Sequence, residues 1–362
     1  MPLIPGQPPR IQPYFGYRNE QRLAISARAL RSGKPGFERG GRLQAMRTML
    51  SQFASREVAG LEVRLEFDTA TGKHEVARTT DREGFVHFDL ALDALPFPER
   101  PSWEVVVLHW LNRDGPQCVE GLVFVPGKAT RLGVISDIDD TIIETGITGG
   151  FRSLVRNWRR VLAELPEERI AVPGADAFYA ALGGGSVIVE ETADLGSQIP
   201  TLNERPFFYV SSSPWNLFSY LVAFKKTRRL PIGPVFLRDW GLDRATFGSA
   251  GHGAHKRQSI DTIIGTYPDL RFALIGDDTQ GDLPAFADVV EKNPRRIAAV
   301  FIRTAGGALS PEEVAARATI EAAGVPLWLG STYETGQAFL KATGLDRDRK
   351  ATRIVETVEE TG

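Results

Sequence analysis

Two clusters of acidic residues, each following an apolar segment, are the first candidates for chemistry in this sequence. Asp137, Asp139 and Asp140 follow the segment LGVIS, and Asp277 and Asp282 follow the segment RFALIG. Crowded carboxylates repel one another unless a cation offsets their charge. Hard oxygen ligands favour Mg²⁺, whereas an Asp-rich turn is the structural alternative for either cluster. Because both clusters follow segments typical of buried strands, we favour a metal site.

Two further segments carry groups that could bind an anion. Ser211 follows the apolar segment FFYV, and Ser213 with Pro214 predicts the start of a helix, whose free N–H groups attract anions. Lys256 follows the segment GSAGHGAH, which predicts a loop that places the lysine at the start of the next helix. A lysine there is unfavourable beside the helix dipole unless an anion lies nearby. Serine caps and solvated lysines are common, so each segment alone is weak evidence.

From residue 132 onward, short apolar segments alternate with segments of helical periodicity. This alternation predicts an α/β domain in which helices cover a Rossmann-like parallel sheet. The carboxyl ends of parallel strands meet at the edge where ligands bind, so we expect Asp137, Ser211 and Asp277 to lie together there. The predicted strands are 132–136, 207–210, 271–276, 296–302 and 325–329.

The first part of the chain shows a different pattern, in which apolar and polar residues alternate with the period of a half-buried strand. Residues 61–67 and 86–92 show it best. Six such segments with turns between them predict an antiparallel β-sandwich of immunoglobulin-like type. The other predicted strands are 23–30, 73–79, 103–111 and 118–125, and a helix is predicted over 42–54.

These patterns divide the 362 residues into two domains with flanking segments, which fits a length of ~150 residues per domain. A turn-forming segment, PGKATR, separates the two patterns. Residues 183–204, which contain GGG and an acidic stretch, are interpreted as an insertion. The predicted parts are an N-terminal extension (1–20), a smaller β-sandwich domain (21–128), an α/β domain (129–345) and a charged tail (346–362).

The types of the candidate residues and their order along the chain resemble the motifs of the haloacid-dehalogenase superfamily. The segments SDIDDTI, PFFYVSSSPWNL, FLRDWG, HK and IGDDTQGD resemble more closely the family of actin-patch-associated, Mg²⁺-dependent phosphatidate phosphatases, over about residues 132–305. The sequence departs from that family at GDD, where GDS is expected, so that Asp278 competes with Asp277 as a metal ligand. The superfamily motifs correspond here to Asp137-x-Asp139-x-Thr141, Ser211, Lys256, and Asp277 with Asp282.

This resemblance implies a phosphatase with a covalent intermediate. Asp137 attacks phosphorus to form an aspartyl-phosphate, and Asp139 protonates the leaving oxygen and then activates water. Mg²⁺ is held by Asp137, the backbone carbonyl of Asp139, and Asp277, and it brings together a nucleophile and a phosphate of like charge. The other implied roles are orientation of metal-bound water by Asp282, phosphate binding by Ser211 and Lys256, and stabilisation of the loop by Thr141.

The substrate class depends on charge patterns. Residues 151–165 predict a basic amphipathic helix with Trp158 and four arginines, which can lie in a membrane interface or pack its apolar face inward. Residues 1–50 carry nine Arg or Lys and two Glu, a local net charge of +7 in a chain of net charge −2. If both basic segments face the same way, they would bind an anionic membrane surface.

Three functions are compatible with these residues. We favour a Mg²⁺-dependent phosphatase that converts phosphatidate to diacylglycerol and phosphate. The alternatives are a phosphatase of a soluble phosphomonoester and a catalytically silent binding module, which would not require this residue set.

Composition and charge limit the kinds of protein that this sequence can encode. The near-neutral chain gives no indication of nucleic-acid binding. A single cysteine, Cys118, excludes an internal disulfide and a multi-thiolate metal site. We identify neither a secretory signal nor an apolar segment long enough to span a bilayer in this sequence. We therefore expect a cytoplasmic protein that could also associate peripherally with a membrane.

Overall fold

The computed structural model describes most of both predicted domains. The predicted helices at 42–54 and 151–165, most of the predicted insertion 183–204 and nearly all of the tail 346–362 lie outside the described residues. The described residues are 7–31, 56–138, 172–184, 187–188, 202–238, 249–278, 281–304, 306 and 308–346.

Nine strands form a single hydrogen-bonded sheet in the N-terminal part. They are β1 (Arg10–Pro13), β2 (Gly16–Arg18), β3 (Arg22–Arg31), β4 (Arg56–Glu57), β5 (Glu62–Thr69), β6 (Gly72–Thr79), β7 (Phe85–Ala91), β8 (Ser102–Asn112) and β9 (Gly115–Val125). The order is β1-β3-β2-β9-β8-β5-β6, with β4 and β7 also paired to β3. The pairing is antiparallel except between β2 and β9.

The six strands predicted for this part are confirmed as β3 and β5–β9. In β5, Val63, Leu65 and Phe67 are buried while the residues between them are more exposed, as the alternation predicts. β1 and β2 lie within the predicted extension 1–20 and are paired into the sheet. The immunoglobulin-like topology stays a prediction, since the hydrogen bonds define one continuous mixed sheet.

The C-terminal part alternates strands and helices, and its main sheet is parallel throughout. The order is β14-β13-β10-β15-β16-β17, with every neighbouring pair parallel. The elements are β10 (Leu132–Asp137), α1 (Ala175–Leu182), β11 (Val187–Ile188), β12 (Leu202–Asn203), β13 (Phe207–Pro214), α2 (Phe218–Thr227), β14 (Val235–Arg238), α3 (Ser249–Thr266), β15 (Arg271–Asp277), α4 (Asp282–Lys292), β16 (Ile297–Arg303), α5 (Pro311–Ala322), β17 (Leu327–Gly330) and α6 (Tyr333–Ala342).

The α/β prediction is therefore confirmed, with three differences in detail. The four-residue strand β14 was not predicted, and it extends the sheet beyond β13. β11 and β12 pair as a two-stranded ribbon within the predicted insertion. The predicted helix start at Ser213 is wrong, because β13 continues through Pro214 and a short 3₁₀ turn, Trp215–Leu217, precedes α2.

The two parts of the molecule share their apolar cores. Phe124 of β9 lies between Trp103, at 5.6 Å between ring centroids, and Phe208 of β13, at 5.8 Å. On the other side of the parallel sheet, the Tyr14 ring lies 4.4 Å from that of Trp215. Both buried clusters that contact the parallel sheet therefore include side chains from the N-terminal part.

This shared packing predicts that the two parts unfold together. We expect Phe124→Ala to lower the free energy of unfolding by about 3–5 kcal/mol, because it removes a buried aromatic ring from the junction. The control is Leu111→Ala on β8, where the side chain is 67% exposed and the expected change is within about 0.5 kcal/mol.

The measurement is chemical denaturation followed by both tryptophan fluorescence and far-UV circular dichroism. The two signals should give one transition that moves as a whole. Two transitions, of which Phe124→Ala moves only one, would show that the parts fold independently.

Candidate functional site

The carboxylates predicted from two separate segments meet at the carboxyl edge of the parallel sheet. Asp137 is the last residue of β10, Asp277 is the last residue of the adjacent strand β15, and Asp282 is the first residue of α4. All three are buried, and each contributes an oxygen that lies within 4.8 Å of those of the other two. In the described part of the chain, this is the group of potential metal ligands that comes close enough to share an ion.

The close approach of Asp282 depends on the glycine before Asp277. A Cβ at Gly276 would overlap the Asp282 carboxyl group, whose Cβ and Cγ lie 2.8 and 2.9 Å from that position. One oxygen of the same carboxylate accepts a hydrogen bond of 3.1 Å from the backbone N–H of Asp277. The residue before α4, Gly281, has a φ of 76°, which favours glycine. The glycine of the segment GDD therefore leaves room for Asp282 to approach the backbone of Asp277.

Lys256 places a buried cation among these carboxylates. Its Nζ lies 2.8 Å from Oδ1 of Asp137 and also contacts Oδ1 of Asp282. Burial alone would lower the pKa of the lysine, but the charges of Asp137, Asp282 and Asp277 raise it above its usual value. Lys256 is thus a permanent cation over the physiological pH range.

The helix that carries Lys256 begins earlier than expected. α3 starts at Ser249, so Lys256 lies well inside the helix and not at its first turn. The sequence argument from an unfavourable helix dipole is therefore wrong, although the predicted association with anions is present in the form of carboxylates. Glycines at 251 and 253 suggested a loop, but they lie within α3.

The charge of this cluster fits a divalent cation. Three carboxylates meet one ammonium group in this buried site, and a further cation would reduce the repulsion between the carboxylates. The donors are oxygen atoms, which suit a hard metal ion. Asp137, Asp277 and Asp282 could together hold such an ion.

The structure describes two of the other predicted site residues and leaves two outside the described residues. Ser211 is buried on β13 directly after Val210, which is the register partner of Asp137, so it lies at the same edge. Its Oγ accepts a hydrogen bond of 2.9 Å from the N–H of Ser213. Asp278 lies outside the carboxylate group, and its backbone N–H donates to the carbonyl of Arg303. Asp139 and Thr141 lie outside the described residues.

Three buried residues next to the site were not singled out from the sequence. Ser136 precedes Asp137 in β10, and its hydroxyl lies 2.6 Å from that of Tyr179 on α1. Tyr333, at the start of α6, is fully buried and interacts electrostatically with Asp137 and Asp277. Only Ser136 could have been suspected, from its position beside Asp137, because the two tyrosines reach the site through tertiary packing.

Three of the nine basic residues counted in the N-terminal region form ion pairs within the described part of the chain. Arg18 is buried and bonds both carboxylate oxygens of Glu104. Arg22 pairs with Asp89, and Arg28 lies 3.2 Å from Glu57. These arginines therefore contribute less to any anionic surface contact than a count along the sequence suggests. Within the described residues, no helix is long and apolar enough to cross a bilayer.

The segment that supplies the whole charged cluster also has known relatives. Residues 132–304 match the family model described as phosphatidate phosphatase APP1, catalytic domain. This APP1-like segment begins at the first residue of β10 and ends just after β16, and it includes Asp137, Lys256, Asp277 and Asp282. The resemblance predicted from the motifs is therefore confirmed at the level of this family.

Two fungal relatives match about half of this chain. Phosphatidate phosphatase APP1 of Saccharomyces cerevisiae is 31% identical over 179 residues, which cover 49% of this chain and 27% of the yeast protein. An uncharacterized protein of Schizosaccharomyces pombe is 30% identical over 174 residues, covering 48% of this chain and 25% of that protein. The match thus spans only about a quarter of the length of either relative.

Solved structures add little to this comparison. A β-glucuronidase of Bifidobacterium dentium complexed with coumarin-3-O-glucuronide is 12% identical, with 88% of this chain and 59% of that chain covered and a TM-score of 0.23. A similarity at this level supports no statement about fold or function.

The geometry around Gly276 predicts a large effect from one added methyl group. We expect Gly276→Ala to lower the free energy of unfolding by about 1–3 kcal/mol, because the new Cβ must displace the Asp282 carboxylate or the strand. An ion that binds only the folded state raises the melting temperature. If these carboxylates bind Mg²⁺, excess Mg²⁺ should raise the melting temperature of the wild type, and Gly276→Ala should abolish that rise.

Gly265→Ala is the matched control, because a Cβ there meets no atom within 4 Å. It lies in α3, so alanine should stabilise the protein by up to about 1 kcal/mol. Thermal unfolding with and without Mg²⁺ compares the two variants. Equal behaviour of both would contradict the role given to Gly276.

Proposed function

We propose that this protein is a Mg²⁺-dependent phosphatase that hydrolyses phosphatidate to diacylglycerol and phosphate. The observation that carries the proposal is the buried group of Asp137, Asp277, Asp282 and Lys256 within the APP1-like segment. A silent binding module is disfavoured, because burying three carboxylates and a lysine at a sheet edge is costly and serves no purpose in a simple binding surface. Resemblance to the haloacid-dehalogenase superfamily supports the same reaction class.

Asp137 is the proposed nucleophile. Lys256 contacts its Oδ1, which keeps the carboxylate ionised and available for attack. In the first step a bond forms between a carboxylate oxygen of Asp137 and phosphorus, the bond to the leaving oxygen breaks, and Asp139 gives that oxygen a proton. In the second step water adds to phosphorus, its proton passes to Asp139, and the aspartyl-phosphate bond breaks to release phosphate.

Two further groups stabilise the phosphate during these steps. Lys256 is already a cation and therefore neutralises negative charge on the phosphate oxygens without a proton transfer. Ser211 lies at the same edge, where its hydroxyl can donate to a phosphate oxygen. Asp137, Asp277 and Asp282, with the backbone carbonyl of Asp139, would hold Mg²⁺. The bound ion supplies positive charge that reduces repulsion between the nucleophile and the phosphate.

The lipid substrate rests on the name of the yeast relative and on the predicted basic helix at 151–165. Hydrolysis of a soluble phosphomonoester by the same residues is the second candidate. We further propose a cytoplasmic protein that binds an anionic membrane surface peripherally, through the helix at 151–165 and the basic N-terminal region.

The nucleophile assignment predicts the effect of a single atom change. Asp137→Asn should reduce Mg²⁺-dependent phosphate release by at least about 10³-fold, because an amide cannot form the aspartyl-phosphate. Circular dichroism should show that the variant is folded. Asp288→Asn is the matched control, since that carboxylate is exposed and pairs with Arg257 on the outer face of α4. Near wild-type release by Asp137→Asn would overturn the assignment.

A second prediction separates the two substrate classes. Phosphatidate in mixed vesicles should be hydrolysed faster than soluble phosphomonoesters, and Trp158→Ala combined with Arg159→Glu should reduce both vesicle flotation and lipid hydrolysis. Rates on soluble esters should stay unchanged, because the helix acts only at the membrane. Equal flotation of wild type and variant would remove this helix from lipid binding, and preference for soluble esters would support the second candidate.

A further inference from the structure

A chain of buried hydroxyl groups ends on the backbone of Asp137. The Ser136 hydroxyl donates to the carbonyl oxygen of Asp137 at 2.6 Å, and the Tyr179 hydroxyl lies 2.6 Å from the Ser136 oxygen. The side chains of Ser136 and Tyr179 are completely buried. Both hydrogen bonds are therefore shielded from water, where a lost partner is most costly.

The direction of this chain follows from counting protons. A carbonyl oxygen can only accept, so the single hydroxyl proton of Ser136 is used on the Asp137 carbonyl. The Ser136 oxygen must then accept from Tyr179, which uses the only hydroxyl proton of the tyrosine. The hydroxyls of Tyr179 and Ser136 thus both donate toward Asp137.

Tyr179 is suited to be a fixed donor. Burial is the main cause that raises the pKa of Tyr179 above the usual value, so its hydroxyl keeps its proton at physiological pH. Aromatic packing holds the rings, with the Tyr333 ring stacked at 4.8 Å on Phe178 and the Tyr179 ring stacked at 5.8 Å on Phe207. A donor that cannot rotate away orients its acceptor more tightly than a mobile one.

These hydrogen bonds end at the carbonyl oxygen of Asp137, where the orientation of the backbone matters most. The Asp137 carbonyl belongs to the peptide group through which the chain leaves β10 and continues toward Asp139. A shift in this peptide moves the Asp137 carboxylate relative to Lys256 and Asp277 and also moves the start of the segment that carries the proposed general acid. Displacements of about 1 Å at a reacting group can reduce a rate by about 10²-fold.

We propose that Tyr179, acting through Ser136, is a positioning residue for the nucleophile Asp137. This inference rests on the proposed phosphatase function and goes beyond it by assigning a role to Tyr179, which lies outside the motifs. The Tyr333 ring packs edge-on against the Tyr179 ring at 6.2 Å and belongs to α6, which begins after the end of the APP1-like segment. The packing around Tyr179 therefore includes a side chain from beyond the segment matched by the family.

The test is Tyr179→Phe, which removes one hydroxyl and keeps the ring packing. We expect kcat for phosphate release to fall about tenfold while KM changes less than about twofold, because orientation of the nucleophile acts on the transition state. Tyr209→Phe is the matched control. Tyr209 is also fully buried and is the register partner of Ser136, but its hydroxyl donates at 2.6 Å to the carbonyl of Pro231, away from the carboxylates.

A purely structural role would affect both tyrosine variants alike. We expect similar losses of thermal stability from the two substitutions but a loss of kcat only from Tyr179→Phe. Ser136→Ala should lower kcat at least as much. Combined with Tyr179→Phe it should lower kcat no further, because the two hydroxyls act in series. Equal kcat in Tyr179→Phe and Tyr209→Phe, or multiplicative losses in the double variant, would overturn the proposal.

A second readout separates this inference from the phosphatase assignment. Hydrogen exchange measured on the peptide covering 132–138 should be faster in Tyr179→Phe than in Tyr209→Phe, because the end of β10 loses its anchor. If wild-type protein releases no phosphate from any tested ester, the proposed function fails, and the exchange rates still decide whether Tyr179 holds Asp137. Unchanged exchange would overturn the inference regardless of activity.

Discussion

The contact between Lys256 and the carboxylates around it is the constraint on which the rest of the site depends. A buried ammonium group or a buried carboxylate is unstable alone, and each is tolerated here because the other lies within contact distance. Three carboxylates lie around this one lysine, and their oxygens are close enough together that they could also hold a metal ion.

The architecture of the parallel sheet brings these charges together at one edge. β10 lies between β13 and β15, so residues at the ends of three neighbouring strands share one edge. Asp137 and Asp277 come from adjacent strand ends, and Gly276 leaves room for Asp282 to approach from α4. Behind that edge, the hydroxyls of Ser136 and Tyr179 fix the backbone from the core side. Asp137 thus has partners on both sides.

How much of this could be predicted from sequence depends on the range of the interactions involved. Apolar segments such as 272–276 predict buried parallel strands because every residue in them is apolar or small, and the acidic residues directly after them are positioned by the end of the strand. The start of α3 could not be predicted, because Gly251 and Gly253 have a low helix propensity and favour a loop, although both lie within the helix. Tyr179 could not be predicted either, since nothing local connects it to Asp137.

The basic N-terminal region shows why a charge count and a charged surface are different quantities. Arg18 is buried beside Glu104, and Arg28 lies over the ring of Phe85 and donates at 2.6 Å to Asn216. Asn216 belongs to the 3₁₀ turn that follows β13, and β13 carries the proposed phosphate-binding Ser211. Arg28 therefore links the N-terminal sheet to the residues directly after that strand. Exposed pairs such as Arg22 with Asp89 cancel locally and are screened by salt. Within the described residues, Arg18 and Arg22 are thus paired inside the N-terminal part and Arg28 joins the two parts of the protein, so their count along the sequence overstates the attraction of this region for an anionic membrane.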